Sequence, residues 1–221
     1  MKFHIITIFP EAFTSFLETS IIGKAREKWL LQVELYKLNE FSPETSGHID
    51  EKAFGMHGQV LSPLPLSRAI ESIQASVGNA GMRSKIPVIY MSPSGQKLEQ
   101  KLCERLSKKL DECIIICGHY EWIDQRIIDL YVDYEISIWD YILTGGEIAS
   151  QVLIDSVVRL KSWVLWNGIS HEEESFSLKL DRQKEYPVYT RPREFHWLTV
   201  PDVLTSGNHK DIENWKKNNL R

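Results

Sequence analysis

Cysteine is scarce and poorly spaced for any framework: the 221 residues hold three, Cys103, Cys113 and Cys117. An odd number so placed argues against a disulfide scaffold, and with no CxxC pair a zinc site is not expected. A reducing cytoplasm is the expected home. No apolar run reaches the ~18 to 20 residues that span a bilayer, so no membrane association is expected. The start, Met1-Lys2-Phe3-His4-Ile5, lacks a small-residue cleavage site and reads as a first β-strand, not a signal peptide. Glycine is thin, at 12 residues where ~7% would give about 15. Three short motifs are also missing. The first strand leads into Phe9-Pro10-Glu11 with no GxGxxG, and there is no GxxxxGK[ST], which excludes a standard dinucleotide or P-loop site. No GxSxG is present, which argues against a hydrolase of the nucleophile-elbow type. No His/Glu cluster has zinc-protease spacing, and no metal is expected.

What is present suits a packed globular chain: 43% apolar and 25% charged residues. Net charge is −4, unevenly spread. Residues 179–221 carry nine Lys/Arg against six Asp/Glu, leaving the first 178 at −7. A mildly basic tail on an acidic body permits phosphate contacts from the tail. Strand-like runs fall at Phe3–Ile8, Leu31–Tyr36, Ile86–Met91, Cys113–Cys117 and Val132–Ile138. Helical spacing appears over 97–109 (Leu98, Leu102, Leu106) and 147–160 (Ile148, Val152, Leu153, Val157, Leu160). Thr144-Gly145-Gly146-Glu147 has the spacing of a capping box. Strands alternating with helices predict an α/β fold, a parallel sheet with helices on both faces. Residues 39–62 have little periodicity and read as a long lid or binding loop. The expected organisation is an α/β domain over 1–160, a linker over 161–180 and a small helical unit over 181–221, ending in a helix near Asn208–Asn218.

Ligands of parallel sheets gather at the carboxyl ends of the strands. Three strands here run into small or polar loops: Ser92-Pro93-Ser94-Gly95, Gly118-His119-Tyr120-Glu121, and Asp140-Tyr141-Ile142-Leu143-Thr144-Gly145-Gly146. Each alone is an ordinary strand-to-helix turn; together they could wall a pocket with backbone donors, aromatic rings and carboxylates. The run Glu172-Glu173-Glu174 could supply a base or bind a metal, or be a solvated acidic turn.

These loops, taken in order, resemble the bacterial tRNA (guanine-N1)-methyltransferase family, which modifies guanine 37 beside the anticodon. The matching segments are Ile8-Phe9-Pro10-Glu11, Tyr90-Met91-Ser92-Pro93-Ser94-Gly95, Cys117-Gly118-His119-Tyr120-Glu121 with Ile123-Asp124, and Asp140 to Glu147. They continue through Leu153-Ile154-Asp155-Ser156, Tyr189-Thr190-Arg191-Pro192 and Ser206-Gly207-Asn208-His209, so nearly the whole chain is covered. The resemblance implies a SPOUT-type sheet with a deep trefoil knot, which topology rules alone would exclude. It further implies a homodimer with the active site between subunits, S-adenosylmethionine as methyl donor, and tRNA as substrate.

Carried over by motif, the donor contacts are Tyr90, Met91, Ser92, Pro93 and Gly95 in the first loop. In the second they are Gly118, Tyr120, Glu121, Trp122 and Ile123; in the third, Ser137, Ile138, Trp139, Tyr141, Leu143, Gly145 and Gly146. The resemblance places substrate contacts at Asp50 and Ser170. It makes Arg159 the cation that offsets charge on guanine O6, and Glu174, where the family usually has Asp, the base that takes the N1 proton. Six of the seven tryptophans, Trp29, Trp122, Trp139, Trp163, Trp166 and Trp197, stand where the resembling family typically has glycine. Six changes of one kind suggest one cause: a source genome that reads UGA as glycine. On that reading Trp122 and Trp139 border the donor pocket, and an alternative function follows, a tRNA-binding relative whose pocket the indoles obstruct.

Overall fold

The computed structural model describes every residue except Met56, 78–84 and 166–172. It divides into two compact units, Met1–Leu165 and Trp166–Arg221.

In chain order the first unit runs β1 (Lys2–Thr7), α1 (Thr14–Glu18), α2 (Ser20–Glu27), β2 (Gln32–Lys37), β3 (Asp50–Lys52), β4 (Gln59–Leu61) and α3 (Pro63–Val77). It continues with β5 (Val88–Lys97), α4 (Gln100–Lys109), β6 (Glu112–Cys117), β7 (Trp122–Ile123), α5 (Gln125–Tyr131), β8 (Tyr134–Ser137) and α6 (Gly146–Val158). Five strands form one parallel sheet in the order β2-β1-β6-β5-β8. Side chains of a strand alternate between faces, and here both faces are buried. Phe3, Ile5, Ile89, Met91, Cys113, Ile115 and Cys117 meet α1, α2, α4 and α6 on one side. Ile6, Val88, Tyr90, Ile114 and Ile116 meet α3 and α5 on the other. Covering on both faces is why Cys113–Cys117 reads as an unbroken apolar run. The three cysteines are buried free thiols in the first of these layers, and burial pushes the Cys113 thiol up to about 12.

Three expectations for the first unit need correction. Residues 39–62 are not a structureless loop: β3 and β4 pair antiparallel, and β4 pairs parallel with β7, Val60 opposite Trp122. The strand at 86–91 does not stop at Met91. β5 continues to Lys97, and Met91 and Gln96 both face Ile136 of β8, so Ser92–Gly95 bulge out between them. That is also why α4 begins at Gln100 and not near 97. Thr144 does not cap α6. The cap is Gly145, without a side-chain hydrogen bond, because Glu147 turns inward to bond Thr7 and His119.

The second unit holds a short antiparallel hairpin, β9 (Glu194–Phe195) with β10 (Leu198–Thr199), and two helices, α7 (Asp202–Thr205) and α8 (His209–Asn218). It is thus not purely helical. Asn208 caps α8 by accepting from the Lys210 amide. The Trp215 ring lies edge-on to both Tyr186 and Tyr189. Glu173 accepts from Lys179, Lys216 and Tyr186. Residues 173–180, expected in the linker, are hydrogen-bonded into this unit: Phe176 N–H donates to Gln183 and Arg182 N–H to Ser177.

Candidate active site

The bulged middle of β5 and the carboxyl ends of β6 and β8 surround a cavity of about 280 Å³ in the first unit. From the β5 side, Tyr90, Met91, Ser92 and Pro93 line it. From the turn after β6 come Gly118, His119, Tyr120, Glu121 and Trp122. From β8 and the loop into α6 come Ile136, Ser137, Ile138, Trp139, Tyr141, Ile142, Leu143, Thr144, Gly145 and Gly146, with Ala149 behind. The three loops singled out in the sequence therefore converge. The wall is largely apolar, with backbone groups and Glu121 among its polar elements, the usual make-up of a small-molecule site.

Two expected contacts lie off the wall, and each has another task. A Cβ on Gly95 would sit 2.4 Å from the Glu135 carbonyl carbon, so its bareness lets β5 run against β8. Ile123 is buried, and its backbone hydrogen-bonds the Tyr90 phenol. Burial pushes that phenol up to about 12, against the opposing pull of this bond. Gly118 leaves room for the same ring, since a Cβ there would lie 3.0 Å from Tyr90 Cε2. Gly146 packs the first turn of α6 onto the end of β6; its Cβ would meet Cys117 Cα at 2.7 Å.

Five lining residues were not expected: His119, Ile136, Ile142, Thr144 and Ala149. His119 stands inside a motif quoted whole, between residues that were expected; it contacts Glu147 and lies edge-on to the Phe9 ring. Its Nε2 lies 2.7 Å from Glu147 Oε2. Tyr120 has a left-handed backbone, φ +60°, and reaches Asp50 through its hydroxyl. Burial first, then the Asp50 carboxylate, raises the Tyr120 phenol above its ordinary value. Asp50 itself is buried on β3, so the segment 39–62 is tied to the cavity at this point.

Arg159 is the C-cap of α6 in the first unit. Glu174 lies in the second unit, where its carbonyl accepts from Ser177 N–H. Neither lines the cavity. Ser170, Trp166 and Glu172 fall outside the described residues. Trp122 and Trp139 stand in the cavity wall and do not fill it, which leaves the obstructed pocket without support. Trp29 and Trp163 are different: both have left-handed backbones, φ +59° and +71°, with 79% and 83% of their surface exposed. Among the described residues no group of three or more His, Cys, Asp or Glu could hold a metal ion.

The model of the tRNA (guanine-1)-methyltransferase TrmD family matches residues 1–221. The chain belongs to that family. A tRNA (guanine-N(1)-)-methyltransferase of Clostridioides difficile is 44% identical over 218 residues, 98% of this chain and 91% of the relative. Another, of Borrelia garinii subsp. bavariensis, is 48% identical over 217 residues, covering 98% and 86%. The crystal structure of tRNA (m1G37) methyltransferase from Aquifex aeolicus superposes with a TM-score of 0.79 at 38% identity, over 98% of this chain and 88% of that one. The family match covers the whole chain, and the cavity is formed by the three loops at one end of the sheet.

Proposed function

We propose that this chain transfers a methyl group from S-adenosylmethionine to N1 of guanine 37 in tRNA. The observation that carries the reading is family membership over the whole chain, joined to a cavity formed by the family's own three motifs. The residues fit the donor: apolar walls at Met91, Ile136, Ile138 and Leu143 suit a base, and Gly118, Gly145 and Gly146 stand in the wall beside them. When bound, S-adenosylmethionine supplies a methyl group already activated on a sulfonium.

The rest of the chemistry belongs to the chain. Guanine N1 carries a proton at neutral pH and is a poor nucleophile until it loses it. Glu174 takes that proton. Negative charge then builds on O6, and Arg159 offsets it. Asp50 and Ser170 hold the guanine, and the basic second unit meets tRNA phosphates. The sheet is knotted at its C-terminal part, as in the family. The protein acts as a homodimer in the cytoplasm, with the site completed at the subunit interface. The outer face of α6 supports the dimer, since Ile148 and Val152, one turn apart, are 57% and 40% exposed. No described helix is long and apolar enough to cross a membrane.

Labelled donor, this protein and tRNA bearing unmodified guanine 37 test the reading: label should appear as N1-methylguanine, and folded protein that gives none at high concentration refutes it. In the same assay Glu174→Gln should abolish turnover while donor binding by calorimetry stays near normal. Arg159→Ala should lower turnover about 10²-fold, the scale for losing one charge-stabilising donor.

A further inference from the structure

Glu147 is only 6% exposed, in the first turn of α6 beside the donor cavity, yet it does not line the cavity. A buried carboxylate is costly unless its oxygens accept hydrogen bonds. Both do. Oε1 accepts from Thr7 Oγ1 at 2.6 Å, and Oε2 meets His119 Nε2 at 2.7 Å. A carboxylate only accepts, so the hydrogen on that contact sits on Nε2, which fixes the imidazole's tautomer and the plane of its ring. Thr7 Oγ1 in turn accepts from Phe9 N–H at 3.0 Å. One side chain thus ties together the end of β1, the turn after β6 and the start of α6.

The fold makes room for this pair. A Cβ on Gly145 would lie 2.4 Å from His119 Nε2 and 2.6 Å from Glu147 Oε2. A backbone bond runs alongside, with Gly146 N–H donating to the Gly118 carbonyl at 2.9 Å. The residue after His119 is Tyr120, whose left-handed backbone is unusual for an aromatic residue. Such strain persists only where the surroundings over-determine it. Here the strained turn is cavity wall from Gly118 to Glu121.

We infer that Glu147 is a positioning residue for the methyl donor: with Thr7 it holds the His119 imidazole, and through it the strained Gly118–Glu121 turn, in the shape that receives S-adenosylmethionine. The inference rests on the proposed donor role of the cavity. Pre-organisation of this kind contributes to affinity, because the turn is ordered before the ligand arrives. It makes no demand on the methyl transfer itself, so its loss is read in donor binding.

The test uses the full chain, with S-adenosylmethionine binding measured by calorimetry and donor KM and kcat by methyl transfer. Glu147→Gln should raise donor Kd and KM about tenfold, the cost of one hydrogen bond to a charged group, while kcat at saturating donor changes little. Thr7→Val should move both constants the same way by less. Thr7→Ser, which keeps the hydroxyl, should restore parent values. Unchanged donor affinity in both Glu147→Gln and Thr7→Val overturns the inference, as does a fall in kcat with KM unchanged. If Glu147→Gln does not fold, the Thr7→Val and Thr7→Ser pair decides in the same terms. A parent chain that binds no donor refutes the donor reading instead.

Discussion

Trp29 and Trp163 hold backbones that glycine adopts without penalty, and their side chains gain little burial in return. A non-glycine residue in the left-handed region costs roughly 1–2 kcal/mol. Glycine gives back roughly 0.4–1 kcal/mol through the freedom it adds to the unfolded chain. The balance favours glycine, so Trp29→Gly and Trp163→Gly should each stabilise the protein by up to ~1 kcal/mol, measured as a shift in urea midpoint. An equal or lower midpoint would mean that the indoles make contacts worth the strain. The codon reading carries a separate check at these two positions and at 122, 139, 166 and 197. The gene should show UGA there, and UGG would end the idea. Most of the cavity wall was legible at this scale because short motifs name wall residues directly. Thr7 and Glu147 were not, because their part depends on a contact 140 positions apart in sequence.

Elements were legible where periodicity was strong and misread where a tertiary contact overrode it. The apolar runs of β1, β2 and β6 lie within a residue or two of their observed strands. The Thr144 cap failed because Glu147 has stronger partners inside the protein. α3 was passed over although Leu66, Ala69, Ile70 and Ile73 form a buried helical stripe behind Pro63. The bulge of β5 has no local signature beyond Pro93 and Gly95. Gly95 is the tightest of these positions, with backbone atoms of Glu135 and Ile136 at 2.4 Å from any Cβ. Backbone cannot swing aside as a side chain can, so Gly95→Ala should cost about 3 kcal/mol, the upper end of overpacking. Chemical denaturation measures it, and a loss under about 1 kcal/mol would show that the two strands part easily.

Lys179 first, then Lys216, holds the Glu173 carboxyl down at about 2, below its ordinary 4.5. A depressed carboxyl contributes stability that is complete above the unfolded value and is lost as pH falls through the folded one. The second unit should therefore weaken between about pH 4.5 and 2, by a modest amount because the group is over a third exposed. Near-ultraviolet circular dichroism of the Trp215–Tyr186–Tyr189 cluster can follow the loss. In Glu173→Gln that pH dependence should flatten, and a profile identical to the parent's would assign acid sensitivity to other groups.

At the scale of the whole molecule, local pattern gave the sheet and its two layers but not the chain path through them. A knot would leave no mark on hydropathy, and an interface between copies would leave only an excess of exposed apolar residues. The outer face of α6 is one place where such residues stand. α6 buries Ala149, Leu153, Ile154, Val157 and Val158 toward the sheet, as an amphipathic helix should, yet its opposite face is not polar throughout. Ile148 and Val152 are exposed there, and Phe9 is a further exposed apolar residue at the end of β1. A homodimer through this face would bury them. Ile148→Glu with Val152→Glu sets like charges on that face at no cost to the core, since neither side chain is in it. In sedimentation the parent should run as a dimer and the double variant as a folded monomer. If the site is shared between subunits as proposed, the monomer should also lose methyl transfer. A double variant that stays dimeric would move the interface elsewhere, and a monomer with full activity would show that one subunit holds the complete site.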